Sequence, residues 1–307
     1  MQPKLIIHGG AGSSLAGKGG LQAVRQSLYA VIEQVYPQLS QGIGAIDAVI
    51  QGCRLLEDEP RFNAGTGSVL QSDGQIRMSA GLMNGFTQSF SGVMNASRVK
   101  NPIDLAQALQ TADDRILSDI GSAELARELQ LPIYNPLTER RLEEWQQDRK
   151  SDFKRKMANV VAEPAGMGTI GVVALDVEGR LAAATSTGGK GFERIGRVSD
   201  SPMPAGNYAT QEAAISCTGI GEDIIDECFA ARVVVRITDG MTLQMALQKS
   251  FGEATQRQRD FGAIAIDAQG NIGWGKTCDV LISAFHDGNQ MGDSLEMPPG
   301  TQIFVAA

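Results

Sequence analysis

Short apolar segments that stop at glycines recur in two blocks of this chain, and a stretch rich in charged residues, 138–165, separates the blocks. The 36 glycines among 307 residues favour many tight turns and disfavour a helical bundle. Neither block alone has enough predicted strands to form a covered sheet, so we predict one domain that spans residues 1–307. The pattern leaves a β-rich fold or a mixed fold of helices and strands.

The first block begins with a predicted strand at residues 4–8, which runs into the glycine turn 9–12. Apolar residues at three- and four-residue steps then predict two helices, 21–36 and 45–57. Short segments separated by glycine-containing turns follow, as in hairpins, before two more helices. The predicted strands are 67–70, 76–79 and 90–94, and the helices are 103–109 and 114–129.

The charged stretch 138–165 has few side chains that can pack in a core, so we predict a solvated helix that fades into a flexible linker. Beyond it, the second block resumes the pattern of buried strands and amphipathic helices. We predict strands at 171–175, 181–185 and 213–218, helices at 224–237 and 242–256, and closing strands near Ile264, Ile272 and Leu281.

Charge and composition exclude several function classes. Lys and Arg number 27 against 35 Asp and Glu, which gives a net charge of −8 and argues against a nucleic-acid partner. No stretch approaches the roughly 20 apolar residues that cross a bilayer, and the apolar run near Met1 is too short for an export signal, so we expect a cytoplasmic protein without a membrane partner. The scattered cysteines are predicted to be small buried residues: Cys53, Cys217, Cys228 and Cys278.

Residues 12–19 come close to a phosphate-binding loop, because a glycine-rich turn with Lys18 lies between a predicted strand and a predicted helix. Such a loop needs Ser or Thr after the Lys to reach Mg²⁺, and Gly19 stands there instead. We favour an ordinary glycine-rich turn. A nucleotide-binding module is the alternative, and magnesium-dependent ATP binding that is lost in Lys18→Ala would support it.

Histidine is nearly absent, and neither His8 nor His286 has a partner at metal-ligand spacing or lies in a nucleophile elbow. A hydrolase with this sequence therefore needs another base. A chain-terminal α-amino group, with a pKa of about 8, can activate the hydroxyl of a Thr that is itself the first residue. A cut between Gly168 and Thr169 would create such a residue, whereas the alternative is an ordinary loop-to-strand junction.

Three loops rich in Gly, Thr and Ser follow predicted strands of the second block, at residues 185–189, 196–202 and 216–222. The second loop carries Arg197 three residues before Asp200. A guanidinium can bind a carboxylate and a carboxylate can bind an ammonium, so this pair suits a small zwitterion. Taken singly, the loops would be interpreted as turns and a surface ion pair.

These motifs together resemble the plant-type L-asparaginase or isoaspartyl aminopeptidase family of N-terminal-nucleophile hydrolases. The resemblance spans the chain: residues 8–12 (HGGAG), residues 62–65 (FNAG), Gly168-Thr169 and the three loops occur in the family's order. It implies an α+β fold, an αββα sandwich, and a precursor that cuts itself into an α subunit, 1–168, and a β subunit, 169–307. It also implies self-assembly as an (αβ)2 heterotetramer.

The resemblance also assigns roles to individual residues. Thr169 would be the nucleophile and its freed amine the base, with Thr187 beside it to orient the hydroxyl. Arg197 would hold the substrate α-carboxylate and Asp200 its α-ammonium. The remaining implied site residues are Asn63 near the nucleophile, Thr218 and Gly219 as oxyanion hole, and Gly221 as a further substrate contact.

By the same resemblance, the loop 56–66 would bind a structural sodium ion, and no cofactor would take part in catalysis. Main-chain carbonyls would surround the ion, which is sensible for a hard cation; they belong to Leu56, Glu57, Glu59, Phe62, Ala64 and Thr66. A solvated helix end is the alternative for the acidic residues 57–59. The implied reaction is hydrolysis of β-aspartyl dipeptides and, more slowly, of L-asparagine.

The chain departs from the family pattern at Ser79 and Asn84, where relatives usually have acidic residues, and at Ser199, where many have Gly. Residues 276–279 also differ from the commoner loop, which bears on the leaving group accepted. Two rival readings stay open: a related glycosylasparaginase, which needs an export signal, and a precursor that never matures and acts only by binding.

Overall fold

A computed structural model describes residues 1–12, 14–150 and 168–306 of the chain. These residues form a mixed α/β fold with two β-sheets, which confirms the class predicted from the sequence. The strands are β1 (Lys4–Gly12), β2 (Met78–Asn84), β3 (Ser89–Ala96), β4 (Ile116–Ser118), β5 (Ile170–Leu175), β6 (Leu181–Thr187), β7 (Asn207–Ala209), β8 (Ala213–Gly219), β9 (Phe261–Asp267), β10 (Ile272–Lys276), β11 (Val280–His286), β12 (Met291–Asp293) and β13 (Gln302–Ala306). The helices are α1 (Gly20–Ser40), α2 (Ala45–Asp58), α3 (Pro102–Ala108), α4 (Asp119–Glu128), α5 (Glu139–Lys150), α6 (Gly221–Glu227), α7 (Phe229–Thr238) and α8 (Leu243–Gln256), with a 3₁₀ turn at Ala16–Lys18.

The larger sheet has eight strands in the order β12-β11-β1-β5-β6-β2-β3-β4, and the smaller has five in the order β13-β10-β9-β8-β7. Helices α1, α2 and α3 pack on the larger sheet, α7 and α8 pack on the smaller, and β1, β5 and β6 contact β8 or β9 of the facing sheet. Each sheet is therefore covered on both faces, which explains why its strands appear as continuous apolar runs in the sequence.

Alternation along the strands divides the core into layers. Ile7 and Val172 pack in the cluster beneath the helices of the larger sheet, whereas their neighbours Ile6 and Val173 pack in the cluster between the two sheets. This is the two-residue period of a β-strand, which turns successive side chains to opposite faces. A third cluster, which includes Phe229, lies between the smaller sheet and its helices.

Strand pairing brings the start of the second block beside the first block. β5 pairs antiparallel with β1 on one side and with β6 on the other, and β6 pairs with β2. His8 of β1 lies opposite Gly171 of β5, and Ile170 lies opposite Ser186 of β6. Thr169, directly before β5, is thereby placed next to Thr187 at the end of β6.

The sequence prediction was wrong at several elements. Residues 67–70 do not form a strand: Gly67 N–H donates to Pro136 O at 3.0 Å, and Leu70 O accepts from Phe192 N–H at 2.9 Å, so this backbone bonds to loops. The predicted helix 114–129 contains β4 before α4 begins at Asp119. The predicted helix 224–237 is interrupted at Cys228, whose φ of 46° ends α6.

The charged stretch 138–165 begins with helix α5, as predicted, and its part beyond residue 150 lies outside the described residues. Arg141 of this helix is buried, contrary to a fully solvated helix, because its Nε donates to Gly67 O at 2.7 Å. Cys228 is exposed, so the prediction that all four cysteines are buried was wrong there. Among the described residues, no helix has the length and apolarity needed to span a membrane.

Candidate active site

Thr169 lies in a buried position directly before the first residue of β5. Its hydroxyl donates to the hydroxyl oxygen of Thr187 at 3.0 Å. Thr187 Oγ1 also accepts from the backbone N–H of Gly189 at 3.1 Å. These two hydrogen bonds connect the hydroxyls of Thr169 and Thr187 to the turn at Gly189, beside the paired strands β5 and β6. They orient the Thr169 hydroxyl toward Thr187.

Asn63 ties the junction to this turn through its backbone and its side chain. Its N–H donates to Gly168 O at 3.0 Å, and its own carbonyl accepts from Gly188 N–H at 2.9 Å. The side-chain amide donates to Gly189 O at 2.5 Å, and Oδ1 accepts from Val69 N–H at 2.9 Å. The carbonyl oxygen of the Gly168–Thr169 bond therefore already accepts a hydrogen bond, from the N–H of Asn63.

His8 supports Thr169 from the neighbouring strand. Its Nδ1 lies 3.1 Å from Thr169 O, and its Nε2 lies 2.8 Å from the Ser216 hydroxyl, which contacts Thr185 Oγ1 at 2.6 Å. Burial lowers the pKa of His8 to about 3, so the ring is neutral. A neutral ring that donates from Nδ1 to Thr169 O must accept at Nε2 from Ser216. His8 thus orients the Thr169 main chain and carries no charge.

Strand β8 carries the predicted oxyanion residues, Thr218 and Gly219. Ser216 faces the larger sheet through His8, and Thr218, two residues later, lies on the same face of β8. Thr218 is buried, and its hydroxyl has no hydrogen-bond partner among the described residues. Gly219 has a φ of 139°, and an added Cβ would lie 2.5 Å from the Phe261 Cα, so only glycine fits.

A charged cluster surrounds Gly221, directly after β8. A Cβ added at Gly221 would lie 2.9 Å from each of three polar atoms: Arg197 Nη2, Asp200 Oδ1 and Ser199 Oγ. Ser199 donates to Asp200 Oδ1 at 2.7 Å, whereas the buried Oδ2 of Asp200 has no hydrogen-bond partner among the described residues. The two predicted substrate-binding residues thus converge on one small space beside a glycine.

Arg197 is held by a residue that the sequence analysis did not single out. Its Nε and Nη2 donate to the two carboxylate oxygens of Glu222 at 3.0 and 2.8 Å. Burial raises the pKa of Asp200 to about 6, although the Ser199 hydroxyl and the Arg197 charge oppose that shift. An ammonium bound at Asp200 would relieve the cost of its buried negative charge.

The site therefore combines an oriented hydroxyl next to Gly168 with a cationic and an anionic side chain that both lie beside Gly221. The sequence model of the asparaginase family matches residues 1–296. The chain belongs to this asparaginase family. The roles of the individual asparaginase site residues stay predictions, and the structure brings them into two clusters: Thr169, Thr187, Asn63 and Gly168 in one, and Arg197, Asp200 and Gly221 in the other. Thr218 and Gly219 lie at the end of β8, directly before Gly221 of the second cluster.

Several characterised proteins resemble this asparaginase-family chain over nearly its whole length. It is 68% identical to the isoaspartyl peptidase/L-asparaginase of Nostoc sp., over 99% of this chain and 98% of that protein. It is 63% identical to the protein of the same name from Synechocystis sp., over 98% of this chain and 92% of that protein. A plant-type L-asparaginase of Pyrococcus horikoshii is 35% identical, over 96% of this chain and 98% of that protein.

The loop after α2 has a backbone that suits the predicted sodium ion. A Cβ added at Gly67 would lie 2.5 Å from Pro60 O and 3.0 Å from Phe62 O, so carbonyl oxygens converge inside the loop. Glu57 O accepts from Thr66 N–H at 2.8 Å and has a second lone pair. Burial raises the pKa of the Glu57 carboxyl to about 8. The oxygen-rich interior fits a hard monovalent cation, and no cluster of three or more His, Cys, Asp or Glu that would suit a transition metal occurs among the described residues.

Two departures from the family pattern have structural roles in this chain. Asn84 Oδ1 accepts from Phe86 and Thr87 N–H at 3.0 and 3.3 Å, which stabilises the turn between β2 and β3. Ser79 lies opposite Thr187 across β2 and β6, and its hydroxyl accepts from Asn95 N–H at 3.2 Å. Both contacts are local to the hairpin, and neither alters the Thr169–Thr187 hydrogen bond.

Proposed function

We propose that this chain is a hydrolase of the isoaspartyl peptidase/L-asparaginase type that cuts itself and uses Thr169 as its nucleophile. The proposal rests on one observation. The Thr169 hydroxyl, on the residue directly after the Gly168–Thr169 bond, is oriented by its hydrogen bond to Thr187. Relatives that are 68% and 63% identical bear the name of this activity. Its substrates are β-aspartyl dipeptides and, more slowly, L-asparagine.

Maturation begins with attack of Thr169 Oγ1 on the Gly168 carbonyl carbon. The carbonyl oxygen becomes an oxyanion that accepts from Asn63 N–H, the C–N bond breaks, and the hydroxyl proton ends on the freed nitrogen. Water then hydrolyses the Gly168 ester and leaves Thr169 as a new N-terminus. The products are an α subunit of residues 1–168 and a β subunit of residues 169–307.

In the mature enzyme, the free amine of Thr169 accepts the proton of its own hydroxyl, since such an amine has a pKa of about 8. The hydroxyl oxygen attacks the side-chain β-carbonyl of the substrate, and ammonia or an amine leaves. Water then hydrolyses the β-aspartyl ester. Thr218 and Gly219 stabilise the oxyanion, and Arg197 and Asp200 bind the substrate carboxylate and ammonium.

The proposal extends to architecture and assembly. Two facing sheets with helices on their outer faces support the N-terminal-nucleophile αββα sandwich as a single domain. We propose an (αβ)2 assembly, a structural sodium ion at the loop 56–66, no catalytic cofactor, and a cytoplasmic location. The convergence of Arg197 Nη2 and Asp200 Oδ1 on Gly221, each 2.9 Å from a Cβ added there, supports their roles as partners of one zwitterionic substrate.

Intact mass spectrometry of the purified protein tests the proposal. After a day at neutral pH, wild type should give two fragments, one beginning at Thr169, and should hydrolyse β-aspartyl dipeptides. Thr169→Ala should stay uncut and inert, whereas Thr238→Ala, at an exposed position on α7 where the hydroxyl donates only to Val234 O, should behave as wild type. Turnover retained in Thr169→Ala would remove this residue from the mechanism, and an uncut, inert wild type would favour a binding role.

A further inference from the structure

Lys18 belongs to the segment that resembles a phosphate-binding loop, and its side chain turns inward to the junction at Gly168. The residue is half-buried, but its Nζ end lies deep in the protein. Nζ donates to Arg61 O at 3.2 Å and lies 5.3 Å from the centre of the Phe62 ring. A Cβ added at Gly168 would lie only 2.7 Å from this nitrogen.

The same position at Gly168 is also in contact with Asn63. The added Cβ would lie 3.1 Å from Asn63 N, the nitrogen whose N–H donates to Gly168 O. Lys18 Nζ and the Asn63 N–H therefore approach Gly168 from the same side. A charge that develops on the Gly168 carbonyl oxygen would have one neutral donor in contact and one amine close to it.

Several charged groups surround this amine. Burial, helped by the positive charges of Arg141 and Arg140 on α5, lowers the pKa of Lys18 to about 7, and Glu144 of the same helix opposes the shift. The hydrogen bond of Nζ is accepted by the backbone of Arg61. Among the described residues, no carboxylate lies within ion-pair distance of Lys18 Nζ. Burying a cation without a partner costs free energy, and a negative charge at Gly168 would offset that cost.

We propose that the Lys18 ammonium stabilises the negative charge that forms on the Gly168 carbonyl during self-cleavage. As Thr169 Oγ1 bonds to the Gly168 carbon, the π-electron pair moves to the carbonyl oxygen, which the ammonium and Asn63 N–H then stabilise. The C–N bond breaks as the pair returns, and the hydroxyl proton goes to the nitrogen of Thr169. Lys18 keeps its own protons throughout and acts through charge alone.

This inference rests on the proposed self-cleavage, and it concerns maturation and not hydrolysis of substrate. In the precursor, the Thr169 nitrogen is an amide and offers no positive charge of its own. After the cut, Arg197, Asp200 and the residues of β8 serve the substrate, and Lys18 contacts none of them among the described residues. Loss of Lys18 should therefore slow the appearance of active sites more than the activity of those already formed.

The test follows the cutting of newly made precursor by cell-free synthesis, with samples quenched over time and analysed by intact mass spectrometry. Lys18→Met should slow formation of the fragment that begins at Thr169 by about tenfold or more, since charge stabilisation at an oxyanion is worth at least that. Lys18→Arg should restore most of the rate, because it keeps the charge. Lys249→Met removes an exposed lysine on α8 and serves as the matched control.

Hydrolysis of L-asparagine per cut molecule is measured on the same samples. Expected results are a slowed cut in Lys18→Met, rescue in Lys18→Arg, and turnover per cut molecule that matches wild type. A Lys18→Met rate equal to wild type, or a Lys18→Arg rate as slow as Lys18→Met, would overturn the charge role while leaving self-cleavage intact. A wild-type chain that is never cut would overturn both this inference and the proposed function.

Discussion

Replacing Asp200 by Asn should reveal how much stability this protein loses by keeping an ionised carboxylate in the buried cluster beside Gly221. Asp200 is buried, and its pKa rises from 3.8 to about 6. Because the folded state holds this proton more tightly than the unfolded state, protonated Asp200 stabilises the fold below pH 3.8, and that stability is lost as the pH rises through about 6.

The size of the effect follows from the two pKa values. A difference of about two units corresponds to roughly 3 kcal/mol lost by pH 8, at 1.36 kcal/mol per unit. Between pH 5 and pH 8, the part that titrates is about 1.4 kcal/mol. Asn does not titrate, so the free energy of unfolding of Asp200→Asn relative to wild type should grow by about 1.4 kcal/mol over that interval.

Urea unfolding followed by circular dichroism measures this difference at several pH values. Both proteins carry Thr169→Ala, so that a single uncut chain unfolds in each case. Any fixed cost of the Asn amide, such as an unsatisfied N–H in place of the unpartnered Oδ2, is the same at every pH and cancels in the comparison. A difference between the two proteins that is identical at pH 5 and pH 8 would refute the raised pKa of Asp200.

Three further predictions concern maturation and binding. Gly168→Ala should slow self-cleavage at least tenfold by mass spectrometry, because its Cβ would lie 3.1 Å from the backbone nitrogen of Asn63, the donor to the Gly168 carbonyl, as well as 2.7 Å from Lys18 Nζ; normal cutting would mean that the junction repacks freely. Thr187→Val should lower kcat more than KM for L-asparagine, since it removes the acceptor of the nucleophile's hydroxyl while the binding cluster stays intact; an unchanged kcat would contradict the orienting role. Gly221→Ala should raise KM with little effect on self-cleavage, because its Cβ would fill the space beside Arg197, and an unaltered KM would place the substrate elsewhere.

Much of the fold could be predicted because local patterns carry it. The helix predicted at 45–57 was confirmed as Ala45–Asp58, and the buried strands of the second block were found within two residues of their ends. The strand predicted at 67–70 was wrong because its apolar residues serve a loop whose backbone bonds to distant loops. The strands β7 and β12 have only three residues each, which are too few to show a two-residue period, so no local pattern predicts them.

For the candidate site, motifs identify the residues, and only three-dimensional packing shows their partners. Thr169 and Thr187 could be singled out by the resemblance, but their hydrogen bond depends on the pairing of β5 with β6. Ser216, which supports His8, lies 208 residues away along the chain, so no local pattern points to this contact. In the sequence, Lys18 stands out only as part of an incomplete phosphate-binding motif. Its position beside Gly168 depends on tertiary packing, which no local pattern predicts.

The strand order of the larger sheet has a consequence for the fate of a cut molecule. β1 and β2 precede the junction, whereas β5, β6 and β11 follow it, so the neighbouring pairs β11-β1, β1-β5 and β6-β2 each join the two sides of the cut. Neither fragment can leave without breaking the three backbone ladders between these pairs. The fragments should therefore stay together on dilution, with no dissociation short of unfolding, and should not exchange between molecules.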